Sequence, residues 1–203
     1  MAAVRPAGPA DRAGVVATVV AAFTGDPGWG WFLGPGFDRL APLFAGALFD
    51  QRVGGGTVWM TDDAASVSLW DPPGGPDPQI VEAVWRTFHD AAGPESLTRL
   101  AAYDTALGQA SPSGSYWYLG VLATHPDRSG RGLATAVMAP GLSRADVDGL
   151  DVCLETSTLA NRAFYARRGF IDATVVDLDG GPDTWWLRRP PHEHPVHDEG
   201  PGH

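Results

Sequence analysis

The residues best suited to chemistry lie in the stretch 116–140, YWYLGVLATHPDRSGRGLATAVMAP. An apolar run leads to a turn at His125-Pro126, a glycine-spaced loop and then a helical pattern. Gly130 and Gly132 remove side chains where backbone amides could meet a ligand. The helix that opens after Gly132 points its positive end at the same spot. Together they form a cradle for a pyrophosphate, with Arg128 and Arg131 as cationic donors beside it. The pattern is not a P-loop, because no Gly-Lys-Ser/Thr follows. It is not the dinucleotide fingerprint either, which needs a third glycine at fixed spacing and an early βαβ position. By spacing alone, an ordinary helix-start loop reads equally well.

A second stretch, LETSTLANRAFYARRGF at 154–170, reads as strand, loop with Asn161, short helix carrying Phe164-Tyr165, and return strand. Together the two stretches resemble the acetyl-CoA-binding loop and the following strand–helix–strand of the GNAT acetyltransferases. The likeness extends to VWMTDDAASVSLW (58–70), ATAVMAPGL (134–142), DTWWLRRP (183–190) and AAVRPAGPADRAGVVATVVAAF (2–23). In these segments it is with the puromycin N-acetyltransferase branch. The resemblance covers about residues 3–190 and is weakest over 71–110.

The resemblance implies roles residue by residue. Leu122, Ala123 and Thr124 match the strand whose backbone amides hold pantetheine and polarise the thioester carbonyl, an oxyanion-hole arrangement. Ser129, Gly130, Arg131, Gly132, Leu133, Ala134 and Thr135 match the pyrophosphate loop. Ser129 departs from the family, whose loop usually opens with Gln or Arg. Asn161 matches the side chain that hydrogen-bonds the pantetheine arm, and Tyr165 the general acid that protonates the departing thiolate. A phenol suits that task, since it keeps its proton at neutral pH yet donates to a forming anion. For the general base, Glu155 at a strand end near the cleft is the candidate, with Asp104, His89 and a water held by Tyr118 or Thr156 as alternatives. Glu155 reads equally as a structural hydrogen-bond acceptor.

Elements must position these groups. Apolar spacing predicts helices over 11–23, 37–52, 79–92, 94–107 and 159–168, and strands over 3–5, 57–60, 65–70, 116–124, 151–156, 170–176 and 184–188. The helix after Gly132 is expected to end or kink at Pro140. The stretch 24–36, TGDPGWGWFLGPG, reads as a glycine- and aromatic-rich loop. Trp29, Trp31 and Phe32 there are expected to form an exposed lid over an apolar substrate. The fold class is mixed α/β (α+β), the GNAT fold: a central, mostly antiparallel sheet of six to seven strands. It is flanked by helices and splayed where 116–124 and 151–156 diverge.

Bulk properties bound the rest. A chain of 203 residues suits one domain, taken as 1–189, followed by a polar Pro/His tail at 190–203 read as disordered. The tail holds His192, His194, His197 and His203, and no metal site is expected there. A net charge of −10 argues against nucleic acid as a partner. The single cysteine, Cys153, lies in an apolar run and excludes an internal disulfide, which fits a reducing compartment. Neither a signal peptide nor a membrane span is read, so a cytoplasmic monomer or homodimer is expected. The resemblance implies an acetyl-CoA-dependent, metal-free N-acetyltransferase acting on a primary amine of a small molecule, aminonucleoside- or antibiotic-like. Antibiotic self-resistance or tailoring would follow. Two alternatives remain: another acyl donor on the same fold, or a non-catalytic acyl-CoA-binding module.

Overall fold

Seven stretches of the chain form strands and seven form α-helices in the computed structural model, which describes residues 2–192. In chain order they are β1 (Val4–Pro6), α1 (Arg12–Phe23), α2 (Pro27–Leu33), α3 (Phe37–Val53), β2 (Val58–Thr61) and β3 (Ser66–Asp71). There follow α4 (Pro78–Ala91), α5 (Pro94–Ala110), β4 (Tyr116–Thr124), α6 (Leu133–Asp148), β5 (Asp151–Thr156), α7 (Leu159–Ala166), β6 (Ile171–Val176) and β7 (Thr184–Arg189). The tail expected to be disordered lies, from residue 193 on, outside the described residues.

The strands make one mixed sheet in the order β1-β2-β3-β4-β5-β7-β6. Every neighbouring pair is antiparallel except β4–β5. That parallel pair joins only Tyr116–Tyr118 to Asp151–Cys153. Beyond Tyr118 the two strands part, and the sheet opens into the cleft expected from the sequence.

β4 also carries a bulge. Leu69 faces Val121 while the next residue, Trp70, faces Leu119, so Gly120 is the extra residue. The bulge switches the side-chain faces of the strand. Trp117 and Leu119 pack with Met138 and Ala145 of α6, whereas Val121 and Ala123 join the core under α1 and α3. Leu122 and Thr124 are thereby turned toward α6. Only glycine is tolerated at the bulge: a Cβ on Gly120 would sit 2.8 Å from Nη2 of Arg52. That guanidinium is buried and tied to Asp71 at 2.6 Å, so it has nowhere to retreat.

One expectation is corrected, and another, that the helix ends or kinks at Pro140, loses its first alternative. The stretch 24–36 is not a loop, because Asp26 caps α2 by accepting the Trp29 amide at 2.9 Å and Pro27 occupies the first turn. Nor does Pro140 end its helix, which continues through it to Asp148. Ser68 of β3 donates to the Val137 carbonyl at 2.7 Å, so the sheet supplies a bond inside the turn that the proline disrupts. Gly141 completes the fit: a Cβ there would stand 2.3 Å from the ring of Trp70, which is fully buried.

Candidate active site

Two cavities flank the opening between β4 and β5. The first, of about 570 Å³, lies on the α6 side. Leu122, Thr124, Ser129, Gly130, Gly132, Leu133, Ala134, Thr135, Asn161 and Tyr165 all line it. Gly130 and Gly132 adopt φ of +75° and +77°, the left-handed region that suits glycine, and nothing lies within 4 Å of where a Cβ would stand. The first intrahelical bond of α6 runs from the Ala136 amide to the Gly132 carbonyl at 3.1 Å. The amides of Leu133, Ala134 and Thr135 therefore project from the helix start into the cavity, as an anion site requires.

Strand geometry divides the amides of β4. Ser66 Oγ donates to the Ala123 carbonyl at 3.0 Å, and the His125 amide donates to the Ala65 carbonyl at 2.8 Å. Residues 123 and 125 thus turn their backbone toward β3. By alternation Leu122 and Thr124 turn theirs toward the opening. Ala123, grouped with them in the sequence, is corrected: its amide faces β3 and its side chain the core. Arg131, between the two loop glycines, is exposed and does not line this cavity. Arg128 lines the cavity but is paired with Asp63 at 2.6 Å.

Arg168 is a cation that sequence reasoning gave no role. It lines the cavity, lies over the Phe164 ring at 3.5 Å and donates to the Thr135 hydroxyl at 2.6 Å. Its place in the Arg-Arg-Gly-Phe run was the available signal. Tyr165 is 8% exposed, and its hydroxyl has no hydrogen-bond partner among the described residues. Burial, and secondarily the Glu155 carboxylate, hold its proton well above the ordinary tyrosine range.

The second cavity, of about 390 Å³, lies on the opposite face, under α2, α3, α4 and α5. Rings of Trp29, Phe32, Phe44, Trp85 and Tyr103 form much of its wall. Trp29 and Phe32 are buried there at 7% and 2% exposure, which corrects the expectation of an exposed lid. Trp31 does not line it; its indole donates instead to the Gly180 carbonyl at 2.8 Å. The apolar core needed these rings, and α2 gives them a face on which to reach it.

Glu155, Asp104, His89 and Tyr118 meet in this second cavity, while Thr156 is buried outside it. Glu155 accepts the Tyr118 hydroxyl at 2.5 Å. Burial outweighs that bond and pushes its carboxyl up to about 7. Asp104 rises to about 6 for the same reason, although the residue is exposed on α5 and water screens it. Beneath them Arg52 and Asp71 form a buried ion pair, a contact with no sequence signal because 19 residues separate its partners. Among the described residues no cluster of three His, Cys, Asp or Glu is placed to hold a metal. Nor is any described helix long and apolar enough to cross a membrane.

The family model of the GNAT acetyltransferases matches residues 64–170, more than half of the chain and the whole of the β4–α6–β5–α7 unit that builds the opening. The chain belongs to the GNAT acetyltransferase family. Enzymes of this family use acetyl-CoA as co-substrate, and the first cavity has the amides and glycines to receive its pyrophosphate.

Solved structures agree on the fold. A Corynebacterium glutamicum protein described as histone acetyltransferase HPA2 and related acetyltransferase is similar, at 25% identity and a TM-score of 0.64, over 97% of this chain and 100% of that one. Arylalkylamine N-acetyltransferase 2 from Aedes aegypti is 12% identical with a TM-score of 0.67, covering 94% of this chain and 99% of that one. The Drosophila melanogaster polyamine N-acetyltransferase is 13% identical with a TM-score of 0.66, over 94% and 100%.

Proposed function

We propose that this GNAT protein transfers acetyl from acetyl-CoA to a primary amine of a small molecule by direct attack. The observation that carries the reading is the pair of groups across the opening: Tyr165 in the wall of one cavity and Glu155 in the wall of the other. The amine enters the aromatic cavity as an ammonium and gives a proton to Glu155. A carboxyl near 7 accepts that proton at neutral pH and releases it again. The free amine then attacks the thioester carbonyl, forming the C–N bond and a tetrahedral oxyanion. Backbone amides of β4 turned toward the opening, at Leu122 and Thr124, hold the negative charge. The C–S bond breaks, and the thiolate takes the Tyr165 proton as it leaves. The second amine proton is lost from nitrogen and restores the phenol. The products are the N-acetyl amide and CoA.

Gly130, Gly132, Leu133, Ala134 and Thr135 bind the pyrophosphate through backbone amides in this reading, Ser129 flanks them and Arg168 adds positive charge. Asn161 holds the pantetheine arm, and Trp29 and Phe32 form part of the acceptor wall. The sequence likeness to puromycin N-acetyltransferases supports an aminonucleoside- or antibiotic-like acceptor, with resistance or tailoring as the role and the cytoplasm as the place of work. The insect relatives named above, which act on arylalkylamines and polyamines by their names, keep the acceptor class wider.

Release of CoA, followed with a thiol reagent across aminonucleosides, aminoglycosides, arylalkylamines, polyamines and amino acid amides, tests the reading. Turnover with at least one amine is expected. Tight acetyl-CoA binding with no turnover across the panel would refute it in favour of a binding module.

A further inference from the structure

A third cavity, of about 460 Å³, adjoins the aromatic one and shares with it the walls of Leu107 and Tyr118. Its chemistry is different. The Ser111 and Tyr116 hydroxyls, 2.5 Å apart, and Ser115 line it, together with the glycine-bearing loop 72–75 that follows β3. The Trp186 ring supplies an apolar wall and packs edge-on against Tyr118 at 5.7 Å. Its charged lining residue is Asp71, which the buried Arg52 already neutralises at 2.6 Å. The lining is thus neutral and hydrogen-bonding, whereas the neighbouring cavity combines aromatic rings with two carboxyl groups. Tyr118 stands at the junction, lining both cavities, with its hydroxyl on Glu155.

We propose that the two cavities are lobes of one acceptor site, and that the acceptor is an elongated amine. Its reacting nitrogen and an adjacent aromatic group occupy the lobe of Glu155 and Trp85. A neutral, hydrogen-bonding extension passes over Tyr118 into the lobe of Ser111 and Tyr116. Aromatic faces favour an organic cation next to an apolar body, and the carboxyl groups favour its charge. A charged extension has no unpaired partner in the second lobe and loses hydration there. This inference rests on the acetyl-transfer reading, to which it adds the class of acceptor.

Gly108 makes the test clean. It lies on α5 in the wall of the neutral lobe, and nothing stands within 4 Å of where its Cβ would be. A Gly108→Trp variant therefore sets a bulky side chain at the wall of the lobe with no clash at its Cβ, and replacing glycine inside a helix favours folding. Phenylalaninamide, phenylalanyl-serinamide, phenylalanyl-lysinamide and phenylalanyl-aspartamide present the same reacting group with different extensions. Each is measured for kcat/KM in the CoA-release assay and for binding by calorimetry.

The serinamide is expected to exceed phenylalaninamide at least tenfold in kcat/KM and in affinity, and both charged extensions to lose most of that gain. In Gly108→Trp the gain is expected to vanish: the ratio of serinamide to phenylalaninamide, in kcat/KM and in affinity, falls to about one. An extension that brings no gain, or a gain that survives Gly108→Trp, overturns the proposal. Calorimetry keeps the two readings apart. Binding that follows the lobe pattern without acetylation speaks against transfer but for the two-lobed site. Acetylation without the lobe pattern does the reverse.

Discussion

At the residue scale, Tyr165 and Glu155 differ in what a substitution removes. The Tyr165 hydroxyl has no hydrogen-bond partner among the described residues, so Tyr165→Phe leaves the packing against Phe164 and Phe170 in place. Its cost should fall on catalysis: kcat is expected to drop by about 10²-fold, with unfolding free energy changed by no more than about 0.5 kcal/mol. Steady-state kinetics beside a urea titration reads both numbers, and an unchanged kcat would remove the phenol from the mechanism. Glu155 carries a pH signature. As the base it must be ionised, so kcat/KM should rise with pH through about 7, and Glu155→Gln should flatten that limb. Stability runs the other way. The folded carboxyl titrates near 7 against an ordinary 4.5, so the native state holds the extra proton between those values and stability falls as pH rises through them. At pH 8 Glu155→Gln should therefore be more stable than wild type by about 1–3 kcal/mol, an advantage that disappears below pH 4.5.

At the scale of elements, the unit β4–α6–β5–α7 was legible because each signal was local. The apolar run of β4, the glycines before α6 and the Asn161 and Tyr165 positions all lie within 50 residues of one another. Legibility failed where local signals conflicted. In α2 the glycines of PGWGWFL argued for a loop, while Asp26-Pro27, the stronger signal, argued for a helix start. At Pro140 the local rule was overruled by contacts from a strand 69 residues away in sequence, Ser68 on the Val137 carbonyl and the Trp70 ring under Gly141. The lone glycine inside β4 is the local mark of the bulge, but the switch of faces that separates Ala123 from Leu122 and Thr124 depends on pairing with β3, about 50 residues away in sequence. Gly141→Ala tests the α6–β3 contact directly. Alanine is the better helix former by about 1 kcal/mol, so propensity alone predicts a gain. Overpacking against a fully buried Trp70 should win, with a net loss of about 1–3 kcal/mol in a urea titration. A gain would mean that Trp70 can give way.

At the scale of the molecule, the charges and the opening have to be weighed together. The chain carries a formal net charge of −10, which repels the phosphates of CoA at a distance. Close in, the balance reverses: the amides at the start of α6 and the Arg168 guanidinium converge on the cavity. That cavity exists because β4 and β5 pair over only three residues each and then diverge. A ligand that lies in the opening replaces the missing strand contacts and links the two halves of the sheet, so its binding should be felt by the whole fold. Acetyl-CoA at a hundredfold its dissociation constant should stabilise the native state by about 2.7 kcal/mol. For a chain of this size, that corresponds to a melting temperature higher by about 5–10 °C. Gly132→Val, which puts a β-branched side chain at φ +77° in front of those amides, should abolish most of the shift at the same ligand concentration. Because the strain also lowers the variant's own melting temperature, the comparison is between each protein with and without ligand. A full ligand-induced shift in Gly132→Val would show that the charge reversal lies elsewhere than at the start of α6.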